Sequence, residues 1–134
     1  AFETESKFIL EPVPFGVRVY SPGDLFAGKM HAILFRSWKN RVKGRDWYDL
    51  IFFIRNDTPL RLSHLAERMR QTGHLGTDET LTKEAFASLL DERISNIDFS
   101  KARADVEPFI KNPEVLDIWS GDFFRNIAKR IACV

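Results

Sequence analysis

The sequence predicts a mainly α-helical fold, a short extended entry followed by a bundle of about five to six helices. Three observations lead there. Helix-start signals, a Ser or Thr set beside Pro or an acid, recur along the chain. Apolar residues follow them at i, i+3, i+4 and i+7. Strand-like alternation is confined to the first twenty residues.

Taken in order, Phe8 to Leu10 meet Pro12 and Pro14, and prolines restrict a strand to edges and ends. Phe15 to Tyr20 alternates well enough for a short strand. In "SPGDLF", Ser21 can cap a helix, Pro22 suits its first position and Asp24 stands three after the cap. The helix is expected from Pro22 to about Lys39 or beyond, burying Leu25, Phe26, Met30, Ile33 and Leu34, with Gly44 as a breaker. A second helix is expected from about Asp46 to Arg55, where Trp47, Leu50, Ile51 and Ile54 share a face. Thr58-Pro59 reads as the start of a third, ending near Gly73. Thr82 caps a fourth, with Leu81 stapled onto Phe86. A short fifth covers about Ser100 to Glu107 and stops at Pro108. Ser120 caps the last, which runs to about Ile131 with Trp119 facing Phe124. The 134 residues read as one helical domain, with residues 1–20 an extended remnant of a preceding lobe and residues 21–134 the bundle.

Hydrophobic residues make up 44% and charged ones 29%, a globular balance. The net charge of +1 gives no bulk electrostatic case for nucleic-acid binding, so any such case is local. The single cysteine, Cys133, cannot close an internal disulfide, which fits a reducing, cytoplasmic setting. Apolar runs such as Leu50 to Ile54 are too short to span a bilayer, and no signal peptide is visible. The chain opens at Ala1 and is expected to be an excised domain that exposes an apolar patch or covers it in a homodimer.

The positive charge is local. From Leu25 to Arg45 there is no acidic residue, while Lys29, Arg36, Lys39, Arg41, Lys43 and Arg45 all fall in that span. Lys29 and Arg36 are seven apart and share a helix face. Trp38, Trp47 and Tyr48 are interleaved, which suits stacking on bases, and phosphates are the natural partner of the cations. A solvated basic helix end favoured by the macrodipole accounts for the same residues. Asp46 equally reads as a helix cap and Asp49 as a first-turn acid; Lys29 also reads as a snorkelling side chain. His64 and His74 read as surface residues. No pair has metal-ligand spacing, and no GxSxG, P-loop or GxGxxG motif is present.

"SPGDLFAGKMHAILFR" followed by "RVKGRDWYDLIFF" resembles the C-terminal part of the AbiEii/AbiGii family, nucleotidyltransferase-like toxins of bacterial type IV toxin–antitoxin and phage-defence systems. The family pattern LxAxKxxAxxxR is met by Leu25, Ala27, Lys29, Ala32 and Arg36, and the following basic-x-basic-Asp…Asp-Leu by Lys43, Arg45, Asp46, Asp49 and Leu50. Family members often carry Arg then Lys in the two basic slots, and here the order is Lys43 then Arg45. The resemblance implies the C-terminal half of a nucleotidyltransferase, with Mg²⁺ and an NTP used by a full-length parent. It implies Lys29 and Asp46 as catalytic residues, and Lys43, Arg45 and Arg36 as phosphate-binding ones. Asp49 reads as structural. The Gly-Ser turn and Asp-x-Asp pair that would hold phosphates and metal are absent, so the chain alone is expected to bind no metal and to be inactive.

Two functions stay open on the sequence. One is the basic half of a toxin site that transfers a nucleotide from an NTP to RNA (tRNA above all) or to a protein hydroxyl. The other is a non-catalytic module that binds RNA or a cognate antitoxin. A winged-helix repressor is a weaker third, since no polar recognition helix or wing is visible.

Overall fold

The computed structural model describes residues 21–36 and 42–134. The expected extended entry over residues 1–20 lies outside them, as do Trp38, Lys39 and Arg41. The described residues form six α-helices and no sheet: α1 (Pro22–Phe35), α2 (Gly44–Arg55), α3 (Leu62–Gln71), α4 (Lys83–Ser95), α5 (Phe99–Val106) and α6 (Gly121–Ala128). None of them is long and apolar enough to cross a membrane.

Helix α1 begins as its sequence dictates. Ser21 is the N-cap, its Oγ accepts from the Asp24 amide at 3.3 Å, and Pro22 fills the first position. It ends earlier than expected, at Phe35, where Arg36 turns extended (φ −67°, ψ 132°). The helix has no basic residue in its last turn. Arg93 of α4 takes that part, donating from Nε to the Ile33 carbonyl at 2.9 Å and from Nη2 to the Arg36 carbonyl at 2.7 Å. Leu25, expected in the buried stripe, is 51% exposed; Phe26, Met30, Ile33 and Leu34 are buried.

Gly44 opens α2 instead of breaking a helix. Its amide donates to Asp105 Oδ2 at 2.9 Å, and a β-carbon built on it would stand 1.9 Å from the Ala102 carbonyl oxygen. This is where α2 crosses α5, and only a residue without a side chain fits. The third helix likewise departs from expectation. Thr58-Pro59 does not start it, because the C-terminal residues claim the backbone there. The Leu60 amide donates to the Ala132 carbonyl, the Val134 amide to the Leu60 carbonyl, and the Leu62 amide to the Val134 carbonyl, at 2.7 to 2.9 Å. That parallel bridge, Leu60 to Cys133, holds the segment extended and shortens α6 from the expected Ile131 to Ala128.

The remaining caps match their signals. Thr82 Oγ1 accepts from the Ala85 amide at 3.0 Å, and Ser120 Oγ accepts from the Phe123 amide at 3.1 Å. Asp98 caps α5, which gives way after Val106 to a 3₁₀ turn that contains Pro108. Rings fill the core between α2, α5 and α6. Trp47 packs edge-on against Phe99 and Phe124 at 5.1 and 5.2 Å, and Trp119 meets Phe124 at 5.3 Å. Helix α1 packs against both α2 and α3, so its outer face becomes the floor between them.

Candidate functional site

That floor is an open cleft of about 470 Å³. Leu25, Gly28, Lys29, Ala32 and Arg36 line it from α1, a single stripe at helical spacing. Gly28 and Ala32 keep the middle of the stripe low. Helix α2 supplies Asp49 and the rings of Phe52 and Phe53, and α3 supplies Arg68. Leu25 and Phe52, both more than half exposed, make one part of the lining apolar.

Charge concentrates where α1 meets α2. Lys29 Nζ donates to Asp46 Oδ1 at 2.9 Å and lies 2.8 Å from Asp49 Oδ2. Arg36 Nη1 stands 3.2 Å from Asp46 Oδ2, an ion pair whose angle falls outside hydrogen-bond geometry. The two carboxylates fall on the α1-facing side of α2 because they are three residues apart. Asp46 is 1% exposed and Lys29 24%. Partial burial would by itself lower the pKa of the Lys29 ammonium; hydrogen bonds to Asp49 and Asp46, and their charge, outweigh it and raise it above the usual lysine value.

Asp46 is not the cap of α2. The N-cap is Lys43, and Asp46 sits within the first turn with its side chain turned to the cations of α1. Asp49, read as structural, pairs with Lys29 at the cleft. The residues named from the sequence therefore separate into two groups. Lys29, Arg36 and Asp46 come together. Lys43 and Arg45 do not join them: they line a smaller recess of about 200 Å³ with Asp105, Val106 and Phe109. There the Arg45 guanidinium lies 5.2 Å over the ring of Phe109, which is itself largely exposed. Asp46 accordingly holds Lys29 and Arg36, not the basic pair that precedes it in sequence. Adjacent helix residues point about 100° apart, and that is enough to divide Arg45 from Asp46.

Two residues of the site were not anticipated. His64, expected on the surface, is buried, and its Nδ1 lies 3.1 Å from Asp24 Oδ1. Arg68, one turn further along α3, donates from Nε to His64 Nε2 at 3.1 Å. The i, i+4 spacing of His64 and Arg68 was the available signal. Burial lowers the pKa of His64 against the opposing pull of Asp24.

Among the described residues, no group of three or more His, Cys, Asp or Glu side chains could hold a metal ion. Asp46 and Asp49, the acids nearest the cations, are already engaged by Lys29 and Arg36. The residues described do not fit a Mg²⁺ site. No curated protein and no solved structure matches the chain. A family model described as the nucleotidyl transferase AbiEii toxin of type IV toxin–antitoxin systems matches residues 3–121.

Proposed function

Because the chain belongs to the AbiEii family of nucleotidyl transferase toxins, we propose that it is the part of such a toxin that receives the phosphates of an NTP donor in the cleft of α1. The acceptor is RNA, a tRNA end above all, or a protein hydroxyl. One observation carries the reading: Leu25, Lys29, Ala32 and Arg36 share the cleft floor, and a buried carboxylate, Asp46, anchors the two cations from behind.

The chemistry follows from donor counts. An ammonium has three N–H groups, and Asp46 and Asp49 take two of those on Lys29. The third is left for a phosphate oxygen. Lys29 then stabilises negative charge that develops on the phosphates as a leaving pyrophosphate separates, which is the electrostatic part of phosphoryl-group chemistry. Arg36 adds a planar donor fork. Asp46 acts as a positioning residue, since it reaches the cleft only through the cations it holds. Phe52 and Leu25 give a base or sugar an apolar rest. Any Mg²⁺ that accompanies the NTP would be held by carboxylates other than Asp46 and Asp49, which Lys29 and Arg36 already engage.

A second reading, binding without transfer, is favoured by the recess at the other side of α2. Arg45 over an exposed Phe109, with Lys43 lining the same recess, suits an RNA strand, whose bases stack and whose phosphates pair. The family's type IV toxin–antitoxin description also implies a cognate antitoxin as partner.

The test uses the full-length gene product with Mg²⁺, each of the four labelled NTPs and bulk tRNA, beside Lys29→Ala and Asp46→Asn. Label transferred by the wild type and lost in both variants supports the transferase reading. No transfer with any NTP, alongside tight RNA or antitoxin binding, replaces it with the second.

A further inference from the structure

The cleft has a charge surplus in one place. Lys29, Arg36, Arg68 and Asp49 line it and Asp46 stands buried behind the first two, three cations against two carboxylates. Both carboxylates are committed to Lys29 and Arg36. Among the described residues, no carboxylate pairs with Arg68. Its guanidinium lies across Gly28, with Nη2 3.4 Å from where a β-carbon would stand on that glycine. A longer residue at position 28 would fill the space the guanidinium crosses.

Arg68 is nonetheless held in place. Arginine donates and never accepts, so the 3.1 Å contact from its Nε makes His64 Nε2 the acceptor. The proton of His64 is therefore on Nδ1, which faces Asp24 Oδ1 at 3.1 Å. Asp24 is in turn fixed by Ser21 Oγ at 3.0 Å and by Arg61 Nε at 3.1 Å, and both Asp24 and His64 are buried. A buried Asp–His pair thus fixes one edge of a guanidinium whose remaining donors are turned toward an open cleft. Fixed donors in a half-buried cleft lose little freedom on binding, which is the condition for tight anion recognition.

We propose that Arg68 is the group that grips a phosphate or polyphosphate anion in this cleft, with His64 and Asp24 as its positioning residues. The inference deepens the proposed function, sharing its cleft, and it does not require that transfer occur. The neutral state of His64 that burial favours keeps Nε2 available to Arg68. Its charged neighbours are Asp24, Arg61 and Arg68.

The test is an NMR titration of the chain, following the Nε–Hε resonance of Arg68, with inorganic tripolyphosphate in one arm and a short single-stranded oligoribonucleotide in the other. Calorimetry gives the affinities. Movement of the Arg68 resonance by either probe supports the site, and the probe that binds tighter tells a free polyphosphate from a phosphodiester backbone. Arg68→Met is expected to weaken binding tenfold or more, with Arg103→Met unchanged as a control distant in sequence. His64→Gln, which keeps an acceptor in reach of Arg68, retains at least half the affinity. His64→Asn, whose amide reaches only toward Asp24, loses it at comparable stability. An unmoved Arg68 resonance with both probes, or a folded Arg68→Met that binds within twofold of wild type, overturns the proposal. Should Arg68→Met fail to fold, the wild-type resonance still decides. Nucleotidyl transfer that survives in Arg68→Met would sink this inference alone, and polyphosphate binding without any transfer would sink only the transferase reading.

Discussion

Lys29 Nζ is shared almost evenly between Asp46 and Asp49, at 2.9 and 2.8 Å, yet the first carboxylate is 1% exposed and the second 37%. The distances are alike and the environments are not. An ion pair in solvent contributes little, whereas a carboxylate withdrawn from water depends on its partners. That difference separates the two residues by experiment.

Asp46→Asn is expected to destabilise the chain by about 2 kcal/mol, because it leaves Lys29 and Arg36 facing each other across a buried amide. Asp49→Asn should cost no more than about 0.5 kcal/mol, since water replaces the lost partner. Urea midpoints for the two variants check the order; equal midpoints would mean that burial of Asp46 has no energetic weight.

Alkaline pH tests Lys29 directly. Its pKa in the folded chain is raised above 10.5. A base whose folded pKa is raised contributes stability that is fully present below 10.5 and is lost as pH climbs through the folded value. Stability of the wild type should therefore fall in that alkaline window more steeply than that of Lys29→Met. Parallel curves from pH 9 to 11.5 would contradict it.

Acid pH tests the histidines. Burial lowers the pKa of His64, and burial with the charges of His74 and Arg68 lowers that of His31. The unfolded chain then takes up protons first, so stability present above pH 6.5 is lost as pH falls through the lower folded values. Thermal melts between pH 7 and 5 should show the loss, and His64→Gln should flatten the slope. A slope unchanged by that variant would assign it to His31.

Two glycines give opposite expectations. Gly44→Ala forces a β-carbon to 1.9 Å from the Ala102 carbonyl oxygen, so α2 and α5 must part, at about 3 kcal/mol or more. Gly28→Ala meets Arg68 no closer than 3.4 Å and gains helix propensity, stabilising by up to about 1 kcal/mol. Circular-dichroism melts of the two variants check both signs.

Much of the helical order was legible because it is local. Ser21, Thr82 and Ser120 cap the helices their sequence contexts announce, and Trp119 meets Phe124 across the last cap. What sequence reading missed is long-range. Thr58-Pro59 carries a good start signal, but its helix is overridden by backbone bonds from residues about 70 positions later. Gly44 looks like a breaker until Ala102 is placed against it. The grouping of Lys29 with Arg36 followed from helix spacing. The separation of Lys43 and Arg45 from Asp46, and the burial of His64 on Asp24, depend on which faces of α2 and α3 meet α1, and no local pattern contains that.

The bridge between Leu60 and Cys133 has a temporal side. On a ribosome adding roughly 5–20 residues per second, Leu60 emerges several seconds before residues 132 to 134 do. For that interval the amides of Leu60 and Leu62 have no strand partner, and α3 is present without the segment that fixes its approach. The segment that leads into α3 thus spends that interval with an open edge, available to any extended peptide nearby. The edge shuts only when residues 132 to 134 arrive to pair with it, and that pairing is also its protection against mispairing.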